Sequence, residues 1–507
     1  MVYAFLGAYF LLLIGIAIYS MRKSTTLKDF YLGGRNVGPW MSAFAYGAAY
    51  FSAVIFIGYA GRSGWTLGMS AVWVGIGNAI LGNYIAWKVL ARRTRALTGH
   101  LNAATMPEFF EKRFGSKGLR VLAAVIIFVF LVPYSASVYQ GLGYLFEMTL
   151  NIPFIYCMLA MALVTAFYLL LGGYFGAALS DFIQGIVMLV GVVLMVFYIV
   201  TNPAVGGLSE GIARLKAIDP ALVGPVGPDG PLSLISLILL TSLGSWGLPQ
   251  MMHKFYAIRD ERAIRRGTRI SAGFSLVVAG GAYFCGVFGR LYLNNQLPVD
   301  PATGAANMDM IMPQVIVQAL PQALIGIVLI LVLSASMSTL ASLVLVSSSA
   351  ISMDLIKGKL FPNLSEKSVK RIMRVLCLVF VAVSFAIASG KVAAILTLMS
   401  FSWGTISGSF LGPFLYGLYW RRTTKQGAWA GMLAGLGTSV IAALATGFNA
   451  GLAPVIGVIA MGVSMVTVPV VSLLTKPMDS AFLTDIFTAM IPERKRKAAA
   501  TPVAHQD

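Results

Sequence analysis

The sequence predicts an all-α, polytopic membrane protein of about 13 transmembrane helices. Three observations predict it. Hydrophobic residues make up 58% of the 507-residue chain. Charged residues make up only 11%, less than half the roughly 25% of an average soluble domain. Apolar runs recur from end to end at a mean hydropathy of +0.83, and several exceed the ~20 residues needed to cross a bilayer.

The spans read near 2–20, 40–61, 69–90, 121–146, 153–172, 180–202, 233–250, 270–293, 322–353, 375–389, 392–420, 428–448 and 453–475. No positive charge precedes the first run, and Arg22 and Lys23 follow it. That polarity is the reverse of a cleaved signal peptide, so the run reads as an anchor with its N-terminus outside. The segments then placed inside (21–38, 88–120, 251–269, 354–374, 421–425 and 476–507) hold 32 of the 37 Lys and Arg. Arg62, Arg214, Lys216, Arg290 and Lys391 stay outside. This is the bias expected of cytoplasmic loops. The net charge of +19 therefore reads as topology and not as a nucleic-acid surface. The lipid bilayer is the expected partner, in the inner membrane of a bacterium, with the C-terminus inside.

The chain divides into a transmembrane domain, 1–475, and a cytoplasmic basic tail, 476–507. Within the tail, 480–491 reads either as an interfacial helix that brings Arg494–Lys497 to anionic headgroups or as a disordered segment. The outside loop near 203–232 carries Gly224-Pro225-Val226-Gly227-Pro228-Asp229-Gly230-Pro231, which is turn chemistry. Cys157, Cys285 and Cys377 sit in apolar runs without CxxC spacing, and there are only three histidines, His505 in the polar tail. No zinc site or catalytic constellation can be assembled from that inventory. An enzyme is not expected, and neither is a cofactor.

Two spans carry breaks. The second has Pro39 at its start, Gly47-Ala48-Ala49 in its middle, and Gly58 and Gly61 later. The seventh has Gly244-Ser245-Trp246-Gly247-Leu248-Pro249. Irregular backbone is tolerated at membrane depth only where it is buried or lines a wet cavity. Interrupted helices five spans apart fit an inverted repeat with a binding site at the breaks. The other reading is close helix packing through glycine.

The ninth span places Ser334, Ser336, Ser338, Thr339 and Ser342 within nine residues. Ala335, Ser338 and Thr339, at i, i+3 and i+4, share a helix face. A free carbonyl and two hydroxyls there can offer hard oxygen ligands to a small cation. Hydroxyls also serve helix packing, with Thr bonding back to i−4. Deep positions are almost free of ionisable groups. Asp181 opens the sixth span near the inner face, and Glu147 and Arg290 lie near outer ends. Proton-driven carriers place Asp, Glu or His relays in the membrane, so their lack favours sodium. Tyr50, Ser52, Tyr134, Thr241, Ser245 and Trp246 are the candidate lining of a pocket for a small polar solute between the two breaks.

Phe30-Tyr31-Leu32-Gly33-Gly34-Arg35, Gly172-Gly173-Tyr174-Phe175 with Ser180-Asp181 and Gln184, and Met337-Ser338-Thr339-Leu340 are specific when taken together. With Tyr419-Trp420-Arg421-Arg422, Gly427-Ala428 and Ala430-Gly431-Met432, the chain resembles the sodium:solute symporter family along nearly its whole length. The sodium/proline and sodium/pantothenate branches are the most similar in motif detail. The resemblance implies a LeuT-type fold, with spans 2–6 and 7–11 as inverted repeats. It implies sodium-coupled import of a small organic solute such as pantothenate, a monocarboxylate or proline. A transporter-like sensor without net transport is the alternative. It also implies a sodium site formed by the carbonyls of Ala48, Phe51 and Ala335 and the hydroxyls of Ser338 and Thr339, and an inner sodium path past Asp181. Two departures count against proline. Tyr50 stands where the proline branch has Asp, and Thr241 and Ser245 stand where it has aromatics. Tyr134 matches a proline-site tyrosine.

Overall fold

The computed structural model describes residues 2–21, 31–300 and 304–490. Among them there is no strand, only isolated bridges at Val37–Ile258 and Val299–Ala306. Phe30 of the first motif, Arg494–Lys497 and His505 lie outside the described residues. Nine helices among the described residues are long and apolar enough to cross a membrane. Their outward faces are apolar too. Ile186, Val190, Val193 and Phe197 form an exposed stripe at helical spacing, as expected of a helix that meets lipid instead of water.

The expected spans map onto helices with two differences. The fifth and sixth lie in one helical run, Phe154–Thr201, with no loop between them. The second and third join without a polar loop, turning at Gly68, where φ is +59°. A side chain there would be doubly disfavoured, because an added Cβ would lie 2.2 Å from the Leu222 carbonyl. Helix pairs elsewhere close to backbone contact through paired glycines. A Cβ on Gly64 would sit 2.0 Å from Gly286 O, and one on Gly286 would sit 1.9 Å from Ala60 O. Without a hydrophobic drive between helices in lipid, such close approach is what joins them.

Both expected breaks are present. The second span is helical from Pro39 to Tyr50, extended at Phe51, and helical again from Val54. Its break thus falls just past Gly47-Ala48-Ala49. The seventh span runs Gly230–Leu243, tightens into a 3₁₀ turn over Gly244–Gly247, is extended at Leu248 and resumes as Pro249–Tyr256. The hydroxyl-rich ninth span is the Gln322–Ser349 helix, and Ser334, Ser336, Ser338 and Thr339 are all fully buried.

After the last span, Ser480–Ala489 is a helix whose first turn is capped by Asp479. It docks on protein: Asp485 pairs with His100 at 2.7 Å, Arg92 donates to Met490 O at 2.8 Å, and Ile486 is buried.

Candidate functional site

The break in the second span begins with one amide that leaves the helix. Ala53 N–H would pair with the Ala49 carbonyl in a continuing α-helix. It donates to Ser336 Oγ instead, at 2.9 Å, and Ser336 donates to Val332 O at 2.7 Å. Phe51 then adopts φ −109° and ψ 131°. Three carbonyls at this break converge on a single hydroxyl of the ninth span, which also lies near a carbonyl of its own helix. Thr339 Oγ1 lies 3.1 Å from Ala335 O, 3.3 Å from both Ala49 O and Phe51 O, and 3.5 Å from Ala48 O.

A hydroxyl has one proton to donate, so it can satisfy only one of these carbonyls, and the nearest, Ala335 O, lies inside a continuous helix that already supplies it with a backbone donor. All five residues are at most 1% exposed, and an unpaired buried carbonyl is costly. A small hard cation, which takes several oxygen ligands at once, resolves that arrangement. Among the described residues no cluster of His, Cys, Asp and Glu could hold a softer metal.

Ala48, Phe51, Ala335 and Thr339 are thus brought together, and Ala49 joins them. Ser338 faces elsewhere. Its hydroxyl donates to Asp181 Oδ1 at 2.6 Å, while Asp181 Oδ2 pairs with Lys254 Nζ at 3.0 Å. This pair corrects two expectations. Lys254 is not a loop cation: it lies in the Pro249–Tyr256 helix with its side chain 3% exposed, against 0% for Asp181. The helical interior therefore does hold a pair of ionisable groups, one step from the Thr339 cage.

Phe51 and Ser52 also border a small cavity of ≈ 20 Å³, walled by Tyr50, Tyr134, Thr241 and Trp403 with Asn78 and Tyr283. Tyr50 stacks on Trp403 with centroids 5.8 Å apart, and Tyr134 meets the same indole edge-on at 5.7 Å. Asn78 Oδ1 gathers Thr241 Oγ1 at 2.9 Å, Ser242 Oγ at 3.1 Å and Tyr50 OH at 3.3 Å. Tyr50 OH also bonds the Thr241 carbonyl. Two donors remain unused: Tyr134 OH and Trp403 Nε1 are buried without partners. No charged side chain borders the cavity.

Ser245 and Trp246 lie outside it, for a physical reason. The third span is a π-helix over Asn78–Ile85, whose wider turns present carbonyls sideways. Tyr46 OH and Ser245 Oγ bond Gly82 O at 3.1 and 3.4 Å, and Trp246 Nε1 bonds Leu81 O at 3.1 Å. Trp246 thus fastens the seventh-span break to the third span, Tyr46 fastens the second span to it, and Ser245 Oγ, nearer to Ser242 O at 2.8 Å, stays within its own span. Ser407 Oγ fastens the seventh-span break to the eleventh, at 2.5 Å from Gly244 O.

Comparison with known proteins adds three findings. A model described as the Sodium:solute symporter family matches residues 30–435. The chain is 32% identical over 484 residues to the high-affinity proline transporter PutP of Bacillus subtilis, covering 94% of this chain and 98% of that protein. It is 31% identical over 444 residues to the osmoregulated proline transporter OpuE of the same organism, covering 86% and 87%. A solved Na⁺-coupled sialic acid symporter in a substrate-bound, outward-open state superposes with a TM-score of 0.78 at 18% identity, covering 94% and 98%. The inward-facing transporter Mhp1 superposes with a TM-score of 0.51 at 16% identity, covering 90% and 95%. These likenesses give the chain a LeuT-type transporter fold.

Proposed function

The chain belongs to the sodium:solute symporter family, and from that premise we propose that it imports a small zwitterionic amino acid, proline first, with sodium bound at the Thr339 cage. A member of this family is a multi-pass membrane transporter and not an enzyme, with sodium as coupling ion and no cofactor. One observation carries the rest: the Phe51–Ser52 break serves both the carbonyl cage and the cavity. Sodium in the cage draws in the freed carbonyls and so orders the wall that the solute touches. Each ligand then favours the state that binds the other.

The cavity's chemistry supports a zwitterion. Tyr134 OH and Trp403 Nε1 supply donors for a carboxylate. The aromatic faces of Tyr50 and Trp403 suit an ammonium. A net-charged solute would find no countercharge. The curated relatives are named for proline, and that places proline ahead of the other small carboxylates. The Ser338–Asp181–Lys254 chain stands beside the cage as the inner exit for sodium. The distribution of basic segments supports an N-terminus outside and a C-terminus in the cytoplasm, across the inner membrane of a bacterium.

Reconstituted protein tests this reading. Labelled proline should accumulate in proteoliposomes under an inward sodium gradient and not under an inward proton gradient without sodium. Unlabelled proline should compete, and pantothenate should not. Accumulation driven fully by protons would overturn the sodium assignment. Stronger competition by pantothenate than by proline would move the solute to the other branch.

A further inference from the structure

We propose that the cleft between the end of the third span and the start of the eighth is a binding site for a phosphate-bearing anion, the headgroup of an anionic phospholipid. The cleft has a volume of ≈ 170 Å³ and is lined by Trp87, Lys88, Arg92, Glu261, Arg265 and Thr268 among others. Three cations thus face one carboxylate. None of the three is in an ion pair among the described residues. Lys88 rests over the Tyr84 ring at 4.7 Å, and Arg92 spends one N–H on Met490 O. Glu261 stands in the first turn of the Glu261–Val287 helix, where the helix dipole suits a carboxylate.

The inner wall adds a donor. Trp87 lies against Gly267, where a Cβ would come within 2.6 Å of its ring, and its Nε1 is buried with no hydrogen-bond partner. An indole N–H can only donate, and leaving it unmade is costly. Three cations and an indole whose N–H is unused thus line one cleft, a lining that suits an anion.

The surface beyond the cleft selects a lipid over a free anion. Lys88, Tyr84 and Ile80 are spaced four residues apart along one helix face, and Tyr84 and Ile80 are exposed. Leu276 and Val277 are exposed on the eighth span, and Leu276 lies about three turns from Arg265 on the same face. The charged cleft therefore continues into apolar surface that faces lipid, the pattern of a headgroup with acyl chains. Basic pockets between transmembrane helices on the side bearing the basic loops take such headgroups.

The test uses the purified full chain in detergent, with native mass spectrometry and thermal unfolding read together. Phosphatidylglycerol should be retained at one molecule per chain and raise Tm by several degrees more than phosphatidylcholine does. Lys88→Gln/Arg265→Gln should lose more than half of that lipid-specific increment while its Tm in phosphatidylcholine stays near the parent value. Trp87→Phe, which removes the indole N–H together with the ring that carries it, should lose a smaller part of the increment when compared with its own Tm in phosphatidylcholine. Arg371→Gln, an exposed cation on another helix, should lose none. Equal shifts with the two lipids, or an equal loss in Arg371→Gln, would overturn the cleft as a site. An equal shift with inorganic phosphate alone would overturn the lipid assignment.

Discussion

Thr339 has a single proton and four carbonyl oxygens within 3.5 Å, and this imbalance separates ion binding from helix packing. As a ligand, Thr339→Ala loses an oxygen and should raise the sodium concentration for half-maximal uptake about ten- to hundred-fold, equivalent to about 1–3 kcal/mol. Thr339→Ser keeps the oxygen and should be mild. The packing reading predicts the reverse order, so sodium titrations of the two variants decide. Ser338→Ala should act through Asp181, whose Oδ1 would lose its 2.6 Å partner, and should also weaken sodium. The Lys254–Asp181 pair makes a second prediction. Removing one partner of a buried ion pair costs about 3–5 kcal/mol, because the other charge is left alone, while removing both is far less costly. Lys254→Met should therefore unfold at markedly lower temperature than the parent, and Lys254→Met/Asp181→Asn should recover most of the loss. A double variant as unstable as the single would refute the pairing as the source of the effect.

At the scale of elements, ends and breaks are held by groups far away in sequence. The Ile395–Tyr419 helix is tied at its start by Asp309, whose Oδ2 accepts the Ile395 N–H at 3.0 Å from a loop 86 residues earlier. Asp309 is 3% exposed. Burial pushes its carboxyl up to about 6, against the opposing pull of that hydrogen bond and of Arg62. The native state thus holds a proton that the unfolded chain releases nearer 4, so stability from this group falls as pH rises from about 4 to 6 and is lowest above 6. Two pH units correspond to about 3 kcal/mol. Asp309→Asn keeps the acceptor and drops the charge. It should melt above the parent at pH 7.5, with the gap roughly halved at pH 5 and closed near pH 4, and a gap that does not change with pH would rule the carboxyl out.

The same scale shows what could be read from the residues alone. Breaks in spans 2 and 7 were legible because glycine and proline at matching places are local signals. The ninth-span hydroxyls were legible because i, i+3 and i+4 define a face. Asn78 was not: one amide in an apolar span looks incidental until a π-helix turns it toward Tyr50 and Thr241. Trp246 left the cavity because the same π-helix offers carbonyls that no pattern announces, and Ser245 because it bonds within its own span. Lys254 was counted with loop cations because its partner, Asp181, lies 73 residues away.

For the whole molecule, the break between cage and cavity predicts reciprocity. The factor by which saturating sodium lowers the Kd for proline should equal the factor by which saturating proline lowers the Kd for sodium, as calorimetry can measure. Thr339→Ala should shrink both factors together, and unequal factors would mean that the sites do not share one equilibrium. The cage has a last consequence. Four of its five oxygens are main-chain carbonyls, which a codon change cannot remove, whereas the cavity is walled by side chains, each open to replacement. Descendants of such a molecule can trade one nutrient for another while inheriting the same ion.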